Sequence, residues 1–89
     1  MQEKFDNNIT KEWVALSDII NNVEENVIYR IQNRGPDKLI ALEANSLPDE
    51  SQEGDLVVPM KQGIYEKGSQ NLYFRAFENM CAINITKVG

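Results

Sequence analysis

The sequence predicts an all-β protein, a compact antiparallel β-sandwich or barrel of about six or seven short strands with an extended N-terminal arm. Three observations carry this. Apolar and polar side chains alternate through Tyr29 to Gln32 and Cys81 to Lys87, and a strand turns successive side chains to opposite faces. Turn-forming residues return roughly every ten positions. No stretch has the strand–helix–strand rhythm of a parallel sheet. A chain of 89 residues holds one core, so residues 12–89 are read as a single domain and residues 1–11 as the arm.

Beyond Met1, the arm is polar except for Phe5 and Ile9, and needs a surface to lie on, either a neighbouring subunit or its own domain. Glu12 to Leu16 reads as a strand, followed by a helical turn around Ser17 to Asn22; Trp13, Leu16, Ile20 and Val23 also fit helical spacing. In the next strand Val27, Tyr29 and Ile31 share an apolar face, and Ile28, Arg30 and Gln32 share a mixed one. Gly35, Pro36 and Asp37 then make a turn, and Leu39 to Leu42 is expected to return as the second arm of a hairpin with a solvent-facing polar loop.

Asn45 to Asp55 is an acidic loop. Its Asp49, Glu50, Glu53 and Asp55 offer the oxygens a Ca²⁺ ion wants, but their spacing departs from the EF-hand pattern, so the loop is read as solvated. Leu56 to Val58 is a short strand stopped by Pro59, which points to an edge position or a strand end. Ile64 to Glu66 is a short strand or turn, and Lys67 to Gln70 a tight turn. Leu72, Phe74 and Ala76 share one face, with Tyr73, Arg75 and Phe77 on the other. Aromatics on both faces require a strand that is central or covered on its second side. After the turn at Glu78 to Met80, Cys81, Ile83 and Ile85 fall on one face, making Cys81 a buried filler.

Composition excludes several classes of function. The net charge is −5, and the nine Lys and Arg residues stand singly among acids. Nucleic acid and anionic membranes, which both require aligned cations, are not expected partners. No apolar run reaches the roughly 20 residues of a membrane span, and the first residues lack a secretory h-region, so membrane insertion and secretion are not expected either. The two N-x-T triplets, at Asn8 and Asn84, are discounted for the same reason.

Catalysis lacks its usual groups. There is no His, one Cys, no nucleophile-elbow or phosphate-loop motif and no Cys or His metal spacing. No pair of carboxylates lies inside an apolar strand where burial would shift its pKa values. The expectation is a protein that is not an enzyme, with no catalytic residue, cofactor or metal.

Taken together, Trp13-Val14-Ala15-Leu16-Ser17, Tyr29-Arg30-Ile31-Gln32-Asn33-Arg34-Gly35, Glu43 and Pro48, Gly54-Asp55-Leu56-Val57-Val58-Pro59, Leu72-Tyr73-Phe74-Arg75-Ala76 and Ile83-Asn84-Ile85-Thr86 form a familiar order. Over about residues 13 to 86 the sequence resembles the small β-sandwich virion proteins of tailed bacteriophages and prophages, which tend to show a W-V start, a strand ending in Q-N-x-G, a loop with Pro, a G-x-x-L-x-P strand, at whose Leu position Val57 stands here, and an aromatic-Arg-Ala strand. It departs from them at Met60, where a Gly usually follows the Pro, in the Asn-rich link from Asp18 to Asn26, and in the added arm.

The resemblance implies a structural subunit made in the bacterial host cytoplasm and built into the virion. It would bind capsid, neck or tail proteins in a decoration, cementing or connector role, as a homo-oligomer or symmetric array. The residues expected to touch a partner are Phe5, Ile9, Trp13, Arg30, Arg34, Tyr73 and Arg75. The alternative expectation is a host-surface or glycan-binding module in which Trp13, Tyr73 and Arg75 form the contact face, an aromatic ring stacking on a sugar.

Overall fold

In the computed structural model, which describes residues 3–20, 23–49 and 54–88, two sheets face each other across one core. The strands are β1 (Glu3–Ile9), β2 (Val14–Ala15), β3 (Ile28–Pro36), β4 (Leu39–Ala44), β5 (Asp55–Val57), β6 (Gln62–Glu66), β7 (Asn71–Ala76) and β8 (Cys81–Val88), with one helical turn, α1 (Leu16–Ile19). The first sheet has the order β1-β8-β3-β6 and the second β2-β7-β4-β5. Every pairing is antiparallel. This is a β-sandwich, and its strand count exceeds the expected one because Glu3–Ile9 of the arm is itself a strand.

The alternation read from the sequence builds the core. Tyr29 and Ile31 of β3, Ile83 and Ile85 of β8, and Leu72, Phe74 and Ala76 of β7 all point between the sheets and are buried. Cys81 lies among them. Burying each large apolar side chain contributes about 1.5–3 kcal/mol, which offsets the chain entropy lost on ordering it. Of the two surfaces open to the arm, it takes its own domain: β1 runs along β8 from Glu3 opposite Lys87 to Ile9 opposite Cys81. Trp13 to Ile20 combines both expectations, since the strand ends at Ala15 and Asp18 folds back to accept the Ala15 N–H at 3.1 Å, starting the helical turn.

The expected hairpin at Gly35 to Asp37 is not one. Strand β3 pairs with β8 and β6, whereas β4 pairs with β7 and β5, so the chain crosses here from one sheet to the other. Gly35 permits the crossing with φ +80°, a region that a side chain disfavours. Asn33, fully buried at the end of β3, holds it in place. Its Nδ2 donates to the carbonyls of Asp37 at 2.8 Å and Val57 at 2.7 Å, and its Oδ1 accepts the Gly35 N–H at 2.8 Å. Both amide donors are thereby used, and β5 is tied to the opposite sheet. At β5 itself, Gly54 lies so close to the Ala41 backbone that a Cβ would collide with its carbonyl.

Asp37 fastens the crossing to the β7–β8 turn. Its carboxylate accepts the backbone N–H groups of Lys38 at 2.8 Å, Glu78 at 2.6 Å and Asn79 at 2.7 Å. Desolvation pushes the Asp37 carboxyl up, but the amides of Asn79, Glu78 and Lys38 and the Lys38 charge outweigh it and hold the group below 3.8. A carboxyl depressed in the folded state stabilises the fold above its unfolded pKa, and this contribution is lost as pH falls through the folded value. Urea midpoints measured downwards from about pH 5 are therefore expected to fall. In Asp37→Asn the midpoint starts lower, by about 1–2 kcal/mol in stability, and this part of the acid dependence disappears.

Candidate functional site

The expected contact residues divide between the core and two opposite faces. Ile9, 1% exposed, and the half-buried Phe5 belong to the chain's own core or pack against it. The expectation that they touch a partner is corrected for Ile9, because the pairing of β1 with β8 turns it inward. Arg30 and Arg34 stand on the outer face of the first sheet. Arg30 lies opposite Ile64, and the Arg34 guanidinium is 3.9 Å from Asp6 with both side chains largely exposed, a pair that contributes little.

Trp13, Tyr73 and Arg75 do gather, on the outer face of the second sheet. The Arg75 guanidinium sits 5.5 Å from the Trp13 ring centroid, and the Trp13 indole N–H donates to the Asp49 carbonyl at 3.1 Å. Tyr73 is only 7% exposed and Pro48 is buried. Asp49 of the loop after β4 thus meets the Trp13 end of this face, and β7 is a central strand, as aromatics on both of its faces require. A cation already takes one side of the Trp13 ring, and Tyr73 has little surface left for a sugar.

The chemical groups elsewhere are quiet. Among the described residues no set of His, Cys, Asp or Glu is placed to hold a metal ion; Glu50 and Glu53 of the acidic loop lie outside them. Burial, and then the Asp37 charge, push the Cys81 thiol up to about 11, so it stays protonated and unreactive at neutral pH. No described helix is long and apolar enough to cross a membrane.

What remains is a margin of the sandwich where β5 ends one sheet and β6 ends the other. Between them lies a groove of about 430 Å³ lined by Leu56, Val57, Val58, Lys61, Ile64 and Tyr65, among others. The Tyr65 ring lies back over Gly63 of its own strand, and burial and then the charge of Asp55 on β5 push its hydroxyl up to about 12. Leu56, Val58, Met60 and Ile64 stand exposed along this margin, with Met60 at 74% and Ile64 at 65%. Apolar side chains beside unpaired backbone make a strand edge adhesive. The sequence reading left these residues out of the contact set. Their signal was the pair of short strands bounded by Gly54, Pro59 and Gly63, each with an apolar residue on its outward face.

No protein-family model matches this sequence, and no curated protein or solved structure matches it at significant similarity.

Proposed function

We propose that this chain is a non-enzymatic structural subunit of a tailed-bacteriophage virion, docking on capsid, neck or tail proteins as a decoration, cement or connector. The observation that supports it is the open margin, where Leu56, Val58, Met60 and Ile64 lie exposed beside two unpaired strand edges. A partner strand laid there gains main-chain hydrogen bonds from the edge and apolar burial from these side chains, which is recognition by geometry and needs no reaction. The order of strand motifs that resembles small virion sandwiches supplies the virion setting. The contacts of Trp13, Tyr73 and Arg75 within the chain weigh against the glycan-binding alternative.

The test is retention on purified particles. Met60→Lys and Leu56→Lys alter exposed side chains, so both are expected to fold as the parent does and to lower the copies retained per particle by about tenfold, a loss of roughly 1.4 kcal/mol. Arg34→Ala, on the outer face of the first sheet, is expected to leave occupancy unchanged. Absence of the parent chain from particles sinks the reading, and a Trp13 fluorescence change on titration with host polysaccharide would favour the alternative.

A further inference from the structure

We propose that a second copy of this chain docks on the open edge of β6. The two strands run antiparallel in a register centred on Ile64, and the β1-β8-β3-β6 sheets of the two copies join into one through a two-fold axis. The proposal deepens the assembly reading above and rests on it.

The backbone defines which residues face outward. The Asn33 N–H donates to the Lys61 carbonyl at 2.9 Å and the Lys67 N–H to the Val27 carbonyl at 3.0 Å, so residues 61 and 67 turn their polar groups towards β3. Backbone groups alternate sides along a strand; hence Gly63 and Tyr65 also bond to β3, in register with Ile31 and Tyr29, while Gln62, Ile64 and Glu66 point theirs to the open side. Among the described residues no strand lies there.

The side chains select a copy of the same strand. With Ile64 on the axis it meets its own counterpart, and Gln62 stands opposite Glu66 on both sides, an amide donor against a carboxylate. Centring on Glu66 would set two carboxylates face to face. Centring on Gln62 would carry the pairing into Met60, which has left the strand with φ 69°. A slip by one residue would present backbone groups already committed to β3, and centring on Gly63 or Tyr65 would set Ile64 opposite Gln62 or Glu66, an apolar side chain against a polar one.

The remaining edges suit this pairing less, which leaves the short β5 edge with its exposed Leu56 to the virion partner. Strand β1 carries Lys4, Asp6, Asn7 and Asn8, β2 has 2 residues, and β5 has 3 and runs into Pro59. Strand β6 has no Pro and no Lys between Gln62 and Glu66.

Single cysteines test the register, since the native Cys81 is buried. In this register the Cα atoms of the two Ile64 residues lie about 5.5 Å apart, within the range a disulfide spans. Mild oxidation of Ile64→Cys is expected to give a covalent dimer. Gln62→Cys alone, whose counterpart lies roughly 14 Å away, is expected to give none, but a mixture of Gln62→Cys and Glu66→Cys is expected to cross-link. Sedimentation of the parent chain should show a reversible dimer, and Ile64→Lys, its fold checked by circular dichroism, should raise the dissociation constant at least about tenfold. A parent chain that sediments as monomer throughout, or Gln62→Cys cross-linking as well as Ile64→Cys, overturns the proposal. Particle retention of the parent chain and of Ile64→Lys separates the two readings: a monomer retained on particles defeats the β6 pairing alone, and a dimer absent from particles defeats the virion role alone.

Discussion

Asn33→Asp is expected to destabilise the fold by about 3–5 kcal/mol at neutral pH, a large part of the roughly 4–13 kcal/mol that a chain of this length commands. The substitution is nearly isosteric, so the loss is chemical. Asn33 donates to two carbonyls, those of Asp37 and Val57, from a fully buried position. A carboxylate there has no donor to offer and turns negative oxygen towards both. It also carries a charge into the sandwich, where among the described residues the side chain at 33 is hydrogen-bonded to backbone groups alone. Asn33→Ala removes the same bonds without adding a charge, and is expected to be milder, at about 2–3 kcal/mol.

The pH dependence identifies the cause. Burial raises the carboxyl pKa of the new Asp in the folded state, so folding favours its protonated form; stability is retained below the unfolded pKa and lost as pH rises through the folded one. Asp37 has the opposite sign, its folded pKa being depressed. Urea unfolding of Asn33→Asp should therefore show its gap from the parent narrowing on acidification. A gap that stays constant with pH would mean that the lost bonds, and not the buried charge, set the effect.

Asn33 also marks where reading the sequence stopped working. Alternation is a local property, so Tyr29 and Ile31 were legible as core, as were Leu72, Phe74, Ala76 and the face shared by Cys81, Ile83 and Ile85. Which sheet a strand joins is not local. Gly35-Pro36-Asp37 has the composition of a hairpin turn, yet the partners that Asn33 and Asp37 find, Val57, Glu78 and Asn79, are distant in sequence and draw the chain across to the other sheet. The candidate margin was hidden in the same way. An exposed Ile64 is ordinary on a strand; it gains meaning only because β6 and β5 end their sheets on the same side. Conversely, Trp13, Tyr73 and Arg75 were legible as a group, but the loop residue that holds Trp13 was not, because the contact from Trp13 to Asp49 spans a large separation in sequence.

Phe74→Ala carries the other large effect, expected at about 3–5 kcal/mol, and tests whether the two sheets share one core. Phe74 is fully buried on β7, the strand between β2 and β4, opposite Val14 on one side and Ala41 on the other. Ala41 and Ala76 are small, so the ring itself fills the space between the sheets, and neighbours this short cannot close in when it is removed. Phe74→Leu keeps most of the volume and is expected to lose less than about 1.5 kcal/mol. Phe77, at the end of the same sequence run, is the control: it is exposed, with the Lys38 ammonium 5.3 Å from its ring, and Phe77→Ala is expected to change stability by about 0.5–1 kcal/mol. Urea midpoints at unchanged m-value measure all three. If Phe74→Ala and Phe77→Ala lose the same amount, the core is not organised around β7 as described. If the expected order holds, stability resides in the sandwich interior while the margin of Leu56, Val58, Met60 and Ile64 is left for partners, and Ile64→Lys should then weaken dimer formation with little change in the urea midpoint of the monomer.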